Sequence, residues 1–272
     1  GLARNLLAAG FEVRGFDPSA GRSSAFSEMG GTAASSPADA GDGSEATFVM
    51  VMNGDEAKQV IFGDDSDGGL VSTMKPGSAI ILTATIHARE AREIAGGLDG
   101  SGIHLVDSPV SGGRPGAESG TLTMMAAATD EALEIARPAM EAVSGVIHRV
   151  GSEAGMGQTV KACLQSLIGS IFAGTFEATA LAAKAGVSGE VLHNVFSTSA
   201  AGCGITNSTI ENVMNRKFEG TGSHINTMYK DLTISLDLAR DLGVPLFTAS
   251  TAMQLFQAGR TKHPDGDNQV VT

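Results

Sequence analysis

Lys161 is the residue best suited to move a proton. It closes the run GMGQTVK over residues 155–161, which opens a long helical stretch. Its neighbours Val160, Ala162, Cys163 and Leu164 are apolar. A lysine taken out of water exchanges its proton near neutrality, because burial disfavours the charged amine. Hydride transfer from an alcohol needs such a group, to take the hydroxyl proton and to return it in the reverse direction. The glycines at the start of the stretch are expected to let a ligand approach free helix N–H groups. A solvated helical lysine is the plain alternative, and Lys161 alone does not decide between them.

A second run, DSPVSGG over 107–113, follows a short apolar strand at 103–106. Ser111, Gly112 and Gly113 then fall at a strand's carboxyl end, where open α/β sheets bind ligands. Glycine lets a carboxylate or phosphate come close to the backbone, since no Cβ intervenes. A glycine turn between two strands explains the same letters equally well.

Asp17 follows the strand read at 11–16. An acid there accepts hydrogen bonds from the ribose hydroxyls of NAD and repels the extra phosphate of NADP. It is also an ordinary turn residue before Pro18. Lys230-Asp231 reads either as a surface pair or as a cation beside a cofactor, near enough to depress the pKa of Lys161.

The bulk numbers set limits. The chain has 272 residues, 42% of them hydrophobic, and a net charge of -12. That charge disfavours nucleic acid and anionic membranes as partners. A small anionic substrate would need a local cation. Two cysteines, Cys163 and Cys203, form no disulfide framework, and six scattered histidines suggest no metal. No uninterrupted apolar run reaches membrane-span length, and no signal-peptide pattern opens the chain, so a reducing cytoplasm is expected.

Strands and helices alternate over residues 1–152. Strands are expected at 11–16, 46–52, 78–82, 103–106, 121–127 and 146–150. Helices are expected at 1–9, 21–29, 55–61, 88–96 and 130–143. That order implies a mostly parallel, doubly wound α/β sheet of the dinucleotide-binding, Rossmann type. Residues 153–272 read as all-α. A long helix at 153–186 links the two parts, and further helices are expected at 188–196, 205–215, 224–242 and 246–258. Small residues along the long helix, such as Gly169, Ala173 and Gly174, predict a homodimer or homotetramer.

Taken together, DSPVSGG at 107–113, GMGQTVK at 155–161 and Lys230-Asp231-Leu232 resemble the β-hydroxyacid dehydrogenase family. The resemblance covers nearly the whole chain. It implies that Ser111, Gly112 and Gly113 hold the substrate carboxylate, that Lys161 is the acid/base, and that Lys230 touches the cofactor. It also implies that Met52, Asn53 and Thr85, the last beside Ala84, line NAD. The family's Gly-x-Gly-x-x-Gly fingerprint would lie just before Gly1, so the sequence reads as cut at its N-terminus, without the first strand and phosphate loop. Many members carry Asn where Leu164 stands; Gln165, one residue on, is its expected substitute in substrate binding. The ends of the strands at 46–52 and 78–82 are similar to the L-threonate dehydrogenase branch. A reductase of semialdehydes or glyoxylate using NAD(P)H, and a non-catalytic ligand-binding homologue, remain open. Imine reductases share the fold but usually replace the helix lysine.

Overall fold

The computed structural model describes residues 1–64 and 68–272. They form two units, Gly1–Lys161 and Ala162–Thr272.

The first unit opens with α1 (Leu2–Ala8), then β1 (Arg14–Gly15), α2 (Ala20–Glu28), β2 (Thr32–Ala33) and α3 (Pro37–Gly41). Parallel β1 and β2 make a small sheet of their own. Next come β3 (Ala46–Val49), α4 (Gly54–Phe62), β4 (Ala79–Leu82), α5 (Ala88–Gly97) and β5 (His104–Asp107). These three strands are parallel, and Val49, Leu82 and Asp107 stand level at their carboxyl ends. Then follow β6 (Val110–Ser111), α6 (Gly113–Ser119), β7 (Leu122–Ala127), α7 (Asp130–Val143) and β8 (Ser144–Gly151). Strand β7 runs antiparallel to both β5 and β6, and parallel to β8. The sheet is therefore mixed, with helices on both faces.

Strand β4 shows why its letters are all apolar. All four of its side chains are 0% exposed. Ala79 and Ile81 pack into one core with Leu6, Val106, Ala136 and Met140. Ile80 and Leu82 pack into the opposite core with Ala57, Ile61 and Ile94. Burying each such isoleucine or leucine stabilises the fold by about 1.5–3 kcal/mol.

The expected strand at 11–16 shrinks to two paired residues, and Phe11 and Phe16 stay exposed. The strand expected at 46–52 stops at Val49, because β4 ends level with it. Thr83 turns both its N–H and its hydroxyl onto the Val49 carbonyl, at 2.9 and 3.1 Å. Elements β2, α3 and α6 escape the sequence reading; each is too short to show a period.

Helix α8 (Met156–Lys184) has 29 residues, about 44 Å at the standard rise. It begins in the first unit and continues in the second. By length and composition it is the one helix among the described residues that matches a membrane span. Its polar side chains Gln158, Lys161, Gln165 and Thr175 are nevertheless buried and hydrogen-bonded within the protein, as in a core helix.

The second unit adds α9 (Gly189–Thr198), α10 (Gly204–Met214), α11 (Ile225–Asp241) and α12 (Phe247–Lys262). Its core gathers Phe172, Phe176 and Phe256 with Met228 and Leu232. The Rossmann-type sheet followed by a helical domain agrees with the fold expected from the sequence.

Candidate active site

The site is built at the carboxyl ends of β3, β4 and β5. Asp107 ends β5 and is completely buried. Its Oδ2 accepts from the Gly155 N–H at 2.7 Å and more weakly from the Gln158 N–H at 3.4 Å. Its Oδ1 accepts from Gln158 Nε2 at 2.8 Å. Burial pushes the Asp107 carboxyl above the usual carboxylate range, and these donors pull it back.

This corrects the sequence reading of the helix start. The N–H groups there are not free for a ligand; Asp107 already takes the Gly155 and Gln158 donors. Gly157 serves packing, since a Cβ on it would lie 2.5 Å from the Asp107 carbonyl oxygen and 2.7 Å from that of Met125. Such closeness seats the first turn of α8 directly on β5 and β7.

Lys161, one turn further along, is 6% exposed. Its Nζ donates to the Val110 carbonyl at 2.8 Å. Val110 immediately precedes Ser111, Gly112 and Gly113. The structure thus brings the lysine and the Ser-Gly-Gly segment together. Ser111 ends β6, Gly112 is the N-cap of α6 and Gly113 begins that helix, so the segment joins a strand to a helix and the alternative reading, a glycine turn between two strands, does not hold. Gly112 has φ 125° and Gly113 has φ 58°, conformations that favour glycine at both positions.

Three of the expected cofactor residues, Met52, Asn53 and Thr85, follow β3 and β4 at this end of the sheet, while Asp17 follows β1 of the small two-stranded sheet. Met52 follows β3 and is 54% exposed. Asn53 is the N-cap of α4; its Oδ1 accepts from the Glu56 N–H at 2.8 Å. Thr85 follows β4 and is half-buried. Asp17 follows β1. Its Oδ1 accepts from the Ser19 N–H at 2.8 Å, and its Oδ2 stands 3.4 Å from Arg22 Nη1. An exposed methionine, a half-buried threonine and a strand-end carboxylate fit a dinucleotide, which has flat apolar rings and ribose hydroxyls.

Three expected residues lie in the second unit. Leu164 is half-buried. Gln165 is buried, and its Nε2 donates to Asp231 Oδ2 at 2.6 Å. Lys230 Nζ lies 3.0 Å from Asp231 Oδ1. Asp231 itself is 3% exposed, so the surface-pair reading of Lys230-Asp231 does not hold for its acid.

Sequence reasoning missed Gln158. The signal was present: Gln158, Lys161 and Gln165 recur at helical spacing in an otherwise apolar segment, which marks one polar stripe.

Comparison with known proteins supports this architecture. The family described as "NAD binding domain of 6-phosphogluconate dehydrogenase" matches residues 1–151. The family described as "NAD-binding of NADP-dependent 3-hydroxyisobutyrate dehydrogenase" matches residues 155–272. L-threonate dehydrogenase of Escherichia coli O6:H1 is 37% identical, over 97% of this chain and 88% of its own. The crystal structure of 3-hydroxyisobutyrate dehydrogenase from Salmonella typhimurium superposes with a TM-score of 0.90 at 31% identity, covering 99% of this chain and 93% of that one. The Mycobacterium tuberculosis 3-hydroxyisobutyrate dehydrogenase with L-serine gives 0.87 at 27% identity, covering 99% and 92%. The chain belongs to the β-hydroxyacid dehydrogenase family.

Proposed function

We propose that this enzyme oxidises a small hydroxy acid, L-threonate-like or 3-hydroxyisobutyrate-like, with NAD and with Lys161 as the acid/base. The observation that carries the reading is the buried Lys161 amine at 2.8 Å from the Val110 carbonyl, beside Ser111 to Gly113. The Ser111 hydroxyl and the backbone of Gly112 and Gly113 take the substrate carboxylate. Lys161 Nζ accepts the hydroxyl proton as the carbinol C–H bond breaks. The nicotinamide supplies the acceptor for the departing hydride. Met52, Asn53 and Thr85 line its side of the site, and Gln165 holds a substrate hydroxyl. Lys230 contributes a cation near the cofactor.

L-threonate leads among the acids because the E. coli relative carries that name. The test is a panel of L-threonate, 3-hydroxyisobutyrate, L-serine and glycerate with NAD and NADP, read at the reduced-nicotinamide absorbance. Reduction of cofactor by at least one acid, well above the no-acid control, is the expected result. No reduction with any of them sinks the reading.

Asp17 gives the preference for NAD. Arg22, 3.4 Å away, offsets part of its charge. Asp17→Ala should raise the KM for NAD and narrow the NAD-to-NADP ratio of kcat/KM. An unchanged ratio would remove Asp17 from cofactor choice.

The reading includes a cytoplasmic homodimer or homotetramer. Leu167 and Leu181 of α8 and Val191 and Val195 of α9 are exposed apolar side chains that self-association would cover. Light scattering at micromolar concentration should give a multiple of the chain mass; a monomer contradicts it.

A further inference from the structure

Gln158 is 1% exposed, and both the nitrogen and the oxygen of its amide are hydrogen-bonded. Its Oε1 accepts from the Ile86 N–H at 3.0 Å. Its Nε2 donates to the Ala84 carbonyl at 3.0 Å and to Asp107 Oδ1 at 2.8 Å. A carboxylate and a carbonyl cannot donate, so the nitrogen must face them and the oxygen must face Ile86. One amide thus joins three stretches of chain: the segment after β4, the end of β5, and the first turn of α8. Helix α8 has other ties to the β5–β6 segment, through Gly155 and through Lys161 itself. Among the hydrogen bonds at this corner, those of Gln158 reach residues 84–86.

We infer that Gln158 is a positioning residue, which sets Lys161 against the cofactor-side segment at Thr85. The inference rests on the proposed reading, in which Lys161 takes the substrate proton and Thr85 lines the nicotinamide. Gln158 touches neither reactant in this account. It acts by fixing the spacing between two supports, one for the proton acceptor and one for the hydride acceptor. Errors in that spacing are felt in the chemical step more than in ground-state binding, and a misplacement of about 1 Å costs on the order of 10²-fold.

The test uses Gln158→Met, which keeps length and removes all three bonds, and Gln158→Asn, which keeps the amide on a shorter arm. Each is assayed with L-threonate and NAD, with protio substrate and with L-threonate deuterated at C2, the carbon next to the carboxylate that the threonate reading has oxidised, beside Lys161→Met. For Gln158→Met, kcat should fall by about tenfold or more while the KM for L-threonate stays within about threefold. The deuterium isotope effect on kcat should rise as hydride transfer becomes rate-limiting. Gln158→Asn should fall between this variant and the parent. If Gln158→Met does not fold, Gln158→Asn decides alone, by the same drop in kcat with a raised isotope effect. A kcat near the parent value, or a loss confined to KM, or an unchanged isotope effect, overturns the inference. The two layers separate cleanly. An active Lys161→Met variant defeats the acid/base reading and this inference with it. An inactive Lys161→Met beside a fully active Gln158→Met defeats the inference alone.

Discussion

Replacing Lys161 by methionine should lower turnover by about 10²–10⁴-fold, the range expected when a general acid/base is lost. Methionine approximates the lysine stem and fills the same buried space. NAD binding should change little, because in the proposed reading the amine serves the reacting alcohol and not the cofactor. In the parent, only the unprotonated amine can accept the hydroxyl proton. The kcat/KM for oxidation should therefore rise with pH and then level, and the variant should lose that rise. Turnover near the parent level would remove Lys161 from the chemistry.

Gly157→Ala should be the most damaging small change in α8. The added Cβ would lie 2.5 Å from the Asp107 carbonyl oxygen, 2.7 Å from that of Met125 and 2.9 Å from Pro109 Cδ. Two of these atoms are backbone in adjacent strands and have little room to give. The first turn of α8 must lift off the sheet, at a cost of about 1–3 kcal/mol for overpacking. Lys161 sits one turn further along the same helix, so turnover should fall with stability. Gly174→Ala is the matched control on the same helix, since its Cβ meets nothing within 4 Å. There the loss of glycine's backbone freedom should stabilise by about 0.5–1 kcal/mol. Thermal unfolding and turnover of the two variants give the comparison. Equal melting temperatures would mean that α8 is not seated on β5 and β7 as described.

Long periodic elements were readable from the letters. Helix α7 falls at 130–143 as expected, and α8 differs from its expected span by only two or three residues at each end. Strand β4 was legible because it is buried on both faces. Of the two-residue strands, β1 was read too long, at 11–16, and β2 was not read at all, since pairing and not composition defines them. The antiparallel turn at β7 also left no mark, because a buried strand carries the same residues in either direction.

In the site, the apolar neighbours of Lys161 anticipated its burial. The acid of DSPVSGG received no role from the sequence, for a physical reason. Its spacing suits a ligand motif, but the Asp107 carboxylate turns inward to the first turn of α8. Asn53 shows a similar economy: a residue expected at the cofactor also caps α4. Which buried donors meet which acceptors depends on contacts nearly 50 residues apart or more, as between Asp107 and Gly155. No local pattern encodes them.

Rescue of Lys161→Ala by small primary amines is the sharpest probe of the proton-transfer role. The truncated side chain should make room for an amine, and NAD reduction with L-threonate should climb with amine concentration and saturate. A variant that works without any amine, or one that stays inert however much methylamine is added while still binding NAD, would contradict the assignment.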